Sequence, residues 1–253
     1  MQNTLMNPLK VVIYGSKGRM GQALVALAKE NTAFDLIGTI DDGESLDPIA
    51  SCDAVIDFTH ADATLPALQK CIELGKIIVI GTTGHSNDVR QAITEASAKI
   101  PVIFSPNYSV GVNTLFWLTK KAAEILGPDY DAEVIEVHHR LKKDSPSGTA
   151  RRLVEVLDEV YDLDYEKDTR HGRVGMTGER TRTEVGVHAV RGGDVVGDHT
   201  VMLAAPGDRL ELIHRASSRE TFARGALRAA LWARDTKKNH PGLYDMQDVL
   251  GLR

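Results

Sequence analysis

The segment Glu136-Val137-His138-His139-Arg140-Leu141-Lys142-Lys143-Asp144-Ser145-Pro146-Ser147-Gly148-Thr149-Ala150 brings imidazoles, cations and a helix-start signal together in one stretch. Those types suit the capture of a small anion and its protonation. Residues 132–140 are rich in β-branched side chains and alternate as a strand does, so His138 and His139 point to opposite faces. Pro146, followed by Ser147 or Thr149 as a cap, predicts a helix over residues 150–160 whose first backbone N–H groups face outward, ready for an anion. Arg140, Lys142 and Lys143 add charge beside those amides, so a carboxylate or phosphate could be held by both kinds of donor. The same residues would also make an ordinary strand, basic loop and capped helix.

A second set lies near the N-terminus. Gly15-Ser16-Lys17-Gly18-Arg19-Met20-Gly21 falls between an apolar strand and a helical run, where glycines permit a tight turn and close approach of a pyrophosphate to a helix start. Aligned on its last glycine, the usual G-x-G-x-x-G places Ser16 at the first glycine, so the motif is imperfect. Asp41, 20 residues beyond Gly21 at the end of the second strand, supplies an acceptor for ribose hydroxyls. A βα turn without a ligand would use the same glycines. Lys17 and Arg19 read either as solvated surface charge or as attractors for the extra phosphate of NADP. Gly81-Thr82-Thr83-Gly84, Ser105-Pro106-Asn107-Tyr108 and Asp57-Phe58-Thr59 close later strands, where open α/β sheets place ligands, although such residues are common in loops.

These residues need a frame to position them. Apolar runs at 10–14, 34–40, 54–58, 77–80 and 102–104, alternating with helical runs at 18–31, 61–74 and 86–98, predict a Rossmann-like, doubly wound parallel sheet. A longer helix over 111–127 leads into strands near 132–140, 182–190, 198–204 and 209–216, which predict a second, α+β lobe with a mixed, largely antiparallel sheet. Gly192-Gly193 and Pro206-Gly207-Asp208 read as hairpin turns there. The run 218–237 is helical with a small-residue face expected to pack back on the first lobe. The lobes are therefore drawn as 1–109 with 219–253, and 110–218. The 253 residues, 42% apolar with a net charge of −5, suffice for a sizeable core, and no basic excess points to nucleic acid. No apolar run approaches the roughly 18 residues of a membrane span, no secretory signal is apparent, and Cys52 and Cys71 form no disulfide or metal pattern, so a cytoplasmic location is expected. No metal is expected either, because consecutive strand residues such as His138 and His139 cannot easily chelate together.

Taken together, the glycine turn, Gly81-Thr82-Thr83-Gly84, the run from Asn107 to Asn113, the 136–150 segment, the run from Arg191 to His199 and Gly242-Leu243-Tyr244-Asp245-Met246 closely resemble the 4-hydroxy-tetrahydrodipicolinate reductase family, formerly dihydrodipicolinate reductase, over essentially the whole chain. The resemblance implies reduction by NADH or NADPH of a cyclic imine dicarboxylate on the diaminopimelate route to lysine, by a homotetramer paired through the second lobe's sheet. It implies that His138 is the catalytic proton donor or acceptor and Lys142 a second proton donor, with His139, Ser147, Gly148 and Thr149 on the substrate. It assigns Gly15, Ser16, Lys17, Gly18, Arg19, Met20, Asp41, Gly81, Thr82, Thr83, Ser105, Pro106, Asn107 and Tyr108 to the cofactor. Where many members follow the ribose-binding acid with arginine, this chain has Asp42, which implies that NADH serves at least as well as NADPH. An amino-acid dehydrogenase of the same plan would share the glycine turn and Asp41 but would not need the His-His-x-x-Lys segment. A dinucleotide sensor would share the turn and lack the paired proton donors.

Overall fold

The computed structural model describes residues 7–237 and 239–252. It divides into one unit of Met1–Val110 with Arg219–Arg253 and another of Gly111–Ser218. In chain order the elements are β1 (Leu9–Tyr14), α1 (Arg19–Glu30), β2 (Phe34–Ile40), β3 (Ala54–Asp57), α2 (Ala61–Leu74), β4 (Ile77–Ile80), α3 (Asn87–Ala96), β5 (Pro101–Phe104), α4 (Val110–Leu126), β6 (Asp131–His138), α5 (Gly148–Tyr161), α6 (Tyr165–Asp168), β7 (Thr169–His171), β8 (Val185–Arg191), β9 (Gly197–Ala205), β10 (Asp208–Ala216), α7 (Glu220–Trp232), β11 (Gly242–Tyr244) and α8 (Met246–Leu250).

In the first unit, β1, β3, β4 and β5 are short and almost wholly apolar because helices cover both faces of their sheet. The six strands run in the order β11-β5-β4-β3-β1-β2, every pair parallel. The direction of strand addition reverses around β1, so the loop after β1 opens at a topological switch point, the usual ligand position in such sheets. One core layer joins α1 and α7 to the sheet, and a second buries Leu68, Cys71, Ile93 and Ile100 against the other face. The small residues Ala223, Ala226, Ala229 and Ala230 let α7 lie close, and a Cβ on Gly225 would stand 1.7 Å from the carbonyl oxygen of Tyr108. The strand β11 was not expected. Its three residues pair with β5 at the sheet's edge, a register that tertiary contacts supply and local pattern does not.

The second unit has the expected mixed sheet, in which antiparallel pairing predominates and the parallel pairs lie on one side of β6. Its five strands run β10-β9-β6-β8-β7, with β10–β9 and β9–β6 antiparallel but β6–β8 and β8–β7 parallel. A parallel return needs a long crossover, and α5 lies in that connection, burying Leu153, Val154 and Leu157 on the sheet against Val134, Val187 and Val201. Pro206-Gly207 does close a hairpin, with Ala205 opposite Asp208 and Gly207 at φ +81°. Gly192-Gly193 does not, since β8 and β9 lie on opposite sides of β6. The Gly192–Val195 loop instead bonds across the end of β6, Gly192 N–H to His138 O at 2.9 Å and His139 N–H to Val195 O at 2.8 Å. No helix among the described residues is long and apolar enough to cross a membrane.

Candidate active site

The strand β6 presents Ala132, Val134, Glu136 and His138 to the core side of the sheet, and the apolar half of that row is buried under α5. The row then turns polar. Glu136 is fully buried, and its carboxylate accepts from His138 Nδ1 at 2.5 Å, from the Ser147 N–H at 3.0 Å and from both terminal nitrogens of Arg191 at 2.7 and 2.8 Å. Burial alone would raise this carboxyl, but those donors outweigh it and bring it down to about 2. Arg191 reaches it because His138 and Arg191 are register partners across β6 and β8. Its guanidinium also donates to the Asp144 carbonyl at 2.8 Å, tying the 140–147 loop to the strands.

The helix start forms as its residue types dictate. Ser147, not Thr149, is the cap, its hydroxyl accepting from Ala150 N–H at 3.1 Å, and the helix begins at Gly148. Nothing lies within 4 Å of where a Gly148 Cβ would stand, so the first helical turn is open to a ligand there. Ser147 also shares a 3.2 Å hydrogen bond with His199 Nε2, and the rings of His199 and His138 meet edge to face at 5.1 Å. Burial, then the neighbouring His138, push His199 down to about 3, so it stays neutral. Lys142 lies in the loop with its ammonium 2.9 Å from Asp144. The side chain of His139 does not join this group; its backbone N–H bonds Val195 O and its Nδ1 has no hydrogen-bond partner. The structure thus gathers His138 and Ser147 with Glu136, Arg191 and His199, which sequence reasoning left without roles. The burial alternation of β6 marks Glu136 as inward-facing, whereas its arginine partner comes from a distant strand.

In the first unit the glycine turn is packed so tightly that side chains would collide with backbone at two positions. A Cβ on Gly15, which has φ +85°, would stand 2.4 Å from Phe58 O, and one on Gly21 would stand 2.0 Å from Gly15 O. The working glycines are therefore Gly15 and Gly21, with Gly18 as the N-cap of α1, which has no side-chain cap. The Asp41 carboxylate folds over the turn, accepting from Lys17 N–H at 2.6 Å and Asp42 N–H at 2.9 Å; chiefly the Asp42 bond, then that of Lys17, lowers its carboxyl. Lys17 does not point its charge outward alone, because its ammonium pairs with Glu44 at 2.7 Å. Glu44 is a third carboxylate at this corner, and its other oxygen accepts from Asp41 N–H.

Buried Asp57 organises the neighbouring loops. It accepts from the Thr59 N–H and hydroxyl, the Thr64 hydroxyl and the Thr82 hydroxyl, pinning the Gly81–Thr83 turn beside the glycine cradle. Gly81 lies against the Phe58 ring, and Thr83 stays exposed. Ser105 bonds back to Asn107 O at 2.9 Å, Pro106 is exposed, and Asn107 Oδ1 accepts from Ser109 N–H at 2.8 Å. Tyr108 turns inward, its ring in the core and its hydroxyl on Ile80 O and Ile103 O at 2.9 Å each, so its side chain pins strand ends together and does not face a cofactor.

Two family descriptions match, dihydrodipicolinate reductase, N-terminus, over residues 9–108 and dihydrodipicolinate reductase, C-terminus, over residues 111–250. The chain belongs to the dihydrodipicolinate reductase family. It is similar to the 4-hydroxy-tetrahydrodipicolinate reductase of Akkermansia muciniphila, 52% identical over 245 residues that cover 96% of this chain and 98% of the relative. The enzyme of that name from Aromatoleum aromaticum is 48% identical, covering 100% of this chain and 99% of its own. Among solved structures, the dipicolinate-bound dihydrodipicolinate reductase from Paenisporosarcina sp. TG-14 has the same fold, with a TM-score of 0.76 at 20% identity over 95% of this chain and 98% of that one. GenD2 from gentamicin A biosynthesis, in complex with NAD, follows at a TM-score of 0.61 and 12% identity, covering 98% and 92% of the two chains. The protein is accordingly an NAD(P)H-dependent oxidoreductase of the dihydrodipicolinate reductase family, and both of its units fall within the match.

Proposed function

We propose that this protein reduces 4-hydroxy-tetrahydrodipicolinate, via dihydrodipicolinate, to tetrahydrodipicolinate with NADH or NADPH, in the cytoplasm and as a homotetramer paired through the second unit's sheet. The observation that carries the reading is the Glu136–His138 pair beside an open helix start, in a chain of this family. Overall the substrate gains a hydride and a proton and loses its hydroxyl as water. When bound, the cofactor supplies the hydride. Gly15 to Met20 and Asp41 would hold its pyrophosphate and ribose, and Gly81 to Thr83 with Ser105 to Asn107 would line its further half. The fit rests on the tight turn that only glycine allows at Gly15 and Gly21, ahead of a helix start with no side-chain cap, and on the acidic corner of Asp41, Asp42 and Glu44, which suits a free ribose better than a 2′-phosphate.

The second unit's residues do the rest. The N–H groups at Gly148 and Thr149 bind one substrate carboxylate, held at a helix start where the backbone dipole favours negative charge. Hydride addition to the conjugated ring leaves negative charge on the imine system; His138 Nε2 donates the neutralising proton, and Lys142, released from Asp144, supplies a second donor and a fixed cation. The outer face of the sheet exposes Val190 and Ile213, apolar surface that fits burial in an assembly. Absorbance loss of NADH or NADPH on addition of the cyclic imine tests the reading. Substrate-dependent loss is expected; a protein that binds the cofactor yet consumes none of it with the imine would instead be a dinucleotide sensor.

A further inference from the structure

We infer that Glu136 is the positioning residue of the reaction, fixing the tautomer and aim of His138 and the helix start at Ser147 through one carboxylate. The inference rests on His138 acting as proton donor. A carboxylate accepts hydrogen bonds and cannot donate them, so the 2.5 Å contact requires the proton on Nδ1 of His138. In the neutral ring that leaves Nε2 as the lone-pair nitrogen, and in the charged ring Nε2–H becomes the transferable proton. The same carboxylate takes the N–H of Ser147, so the imidazole and the cap of α5 are fixed relative to each other.

Arg191 explains why Glu136 itself does not turn. Its two nitrogens grip both carboxylate oxygens, which leaves the fully buried Glu136 side chain one orientation. A hydrogen-bonded pair on the protein's interior side, with the opposite ring nitrogen left for chemistry, is the arrangement in which loss of the acid selects the wrong tautomer. The charged and titratable groups around His138 are Glu136 on its own strand, Arg191 on β8, His199 on β9, and Lys142 and Asp144 in the following loop; His214 on β10 lies within electrostatic range of His199. Among them Glu136 alone bonds the imidazole.

The test uses the full-length protein with its histidine side chains labelled with ¹⁵N, and His138→Gln assigns the His138 signals. At alkaline pH the parent should show His138 as the Nδ1–H tautomer. In Glu136→Gln, whose amide can donate as well as accept, that tautomer should lose its dominance. Turnover should fall on the order of 10²- to 10⁴-fold, with NADH affinity unchanged. Glu136→Asp, which keeps the charge on a shorter arm, should recover part of the turnover. A parent His138 protonated on Nε2, or a Glu136→Gln variant with turnover within a few-fold of the parent, would overturn the inference. Should the variant fail to fold, the parent spectrum alone decides. A parent that does not consume NADH or NADPH with the imine at all contradicts the functional reading, which is a separate result.

Discussion

Two buried glutamates three residues apart on β6, Glu133 and Glu136, face opposite sides of one sheet and share a chemistry, yet they do different things. Glu133 accepts from Arg173 at 2.8 and 3.2 Å, from Arg180 at 3.0 Å and from His188 at 2.7 Å. Glu136 accepts from Arg191, His138 and a backbone amide. In both, burial would raise the carboxyl and charged donors bring it down to about 2. The difference lies in what the partners can still reach. The guanidiniums at Glu133 are spent on Glu184, on Asp131 and on backbone carbonyls, fastening the loop before β8, so the cluster closes on itself. At Glu136 the histidine keeps a second nitrogen, which lies where a Cβ on Gly197 would stand 2.9 Å away. On the proposed reading, a paired buried acid serves the reaction when one of its partners has an unspent end, and holds the fold when none does.

Breaking the Glu136 side at its working end should have the largest effect. His138→Gln or Lys142→Ala is expected to lower turnover on the order of 10²- to 10⁴-fold while leaving NADH affinity and melting temperature near the parent's, checked by steady-state kinetics, fluorescence titration and calorimetry. Turnover close to normal in either variant would remove that residue from the mechanism.

Breaking the Glu133 side should cost stability and spare chemistry. Glu133→Gln leaves His188 without its carboxylate and Arg173 and Arg180 with Glu184 and Asp131 alone, and the second unit should lose about 1.5–3 kcal/mol, the worth of hydrogen bonds to a charged group. Turnover per folded molecule should hold. The pH dependence has a definite sign. Both carboxyls lie near 2 in the folded protein against an ordinary value of 4.5, so their stabilisation is complete above 4.5 and is lost as pH falls from there toward 2. Calorimetry over that range should show the acid-dependent loss shrink in Glu133→Gln; an unchanged acid profile would mean the cluster contributes nothing.

The smallest expected effect concerns a third acidic site, the exposed corner of Asp41, Asp42 and Glu44, where pairing is screened by solvent. Asp42→Arg should shift the ratio of kcat/KM toward NADPH by about tenfold, by replacing repulsion of a 2′-phosphate with a bidentate donor. The shift should shrink with added salt. A parent that already prefers NADPH tenfold would show that Lys17 and Arg19 outweigh the carboxylates despite the Lys17–Glu44 pair.

Much of this was legible in the residues, for physical reasons that also mark the limits. Runs such as Ile77–Ile80 announce strands buried on both faces, and the glycine turn with Asp41 announces a dinucleotide corner, because each signal is local. Ser147 as the cap was one of two local alternatives. Long-range partners were not legible: nothing near Glu136 names Arg191, and nothing near Lys17 decides between solvent and Glu44. Gly192-Gly193 has the composition of a hairpin turn, but strand order is set by where α5 returns the chain. Tyr108 sits in a loop sequence that suits a ligand, yet its ring gains more from the core, where its hydroxyl finds the strand carbonyls of Ile80 and Ile103.

The central claim is that a dicarboxylate binds at the start of α5 beside His138. Titration of ¹⁵N-labelled protein with pyridine-2,6-dicarboxylate, a product-like compound that this reduction cannot consume, tests it directly. The backbone amides of Gly148 and Thr149 and the side chain of His138 should shift together and saturate with one dissociation constant, and Thr149→Val should weaken that constant by about 1.5–3 kcal/mol, the worth of a hydrogen bond to a charged group. Saturable binding that leaves those three groups unmoved would place the carboxylates elsewhere and contradict the account.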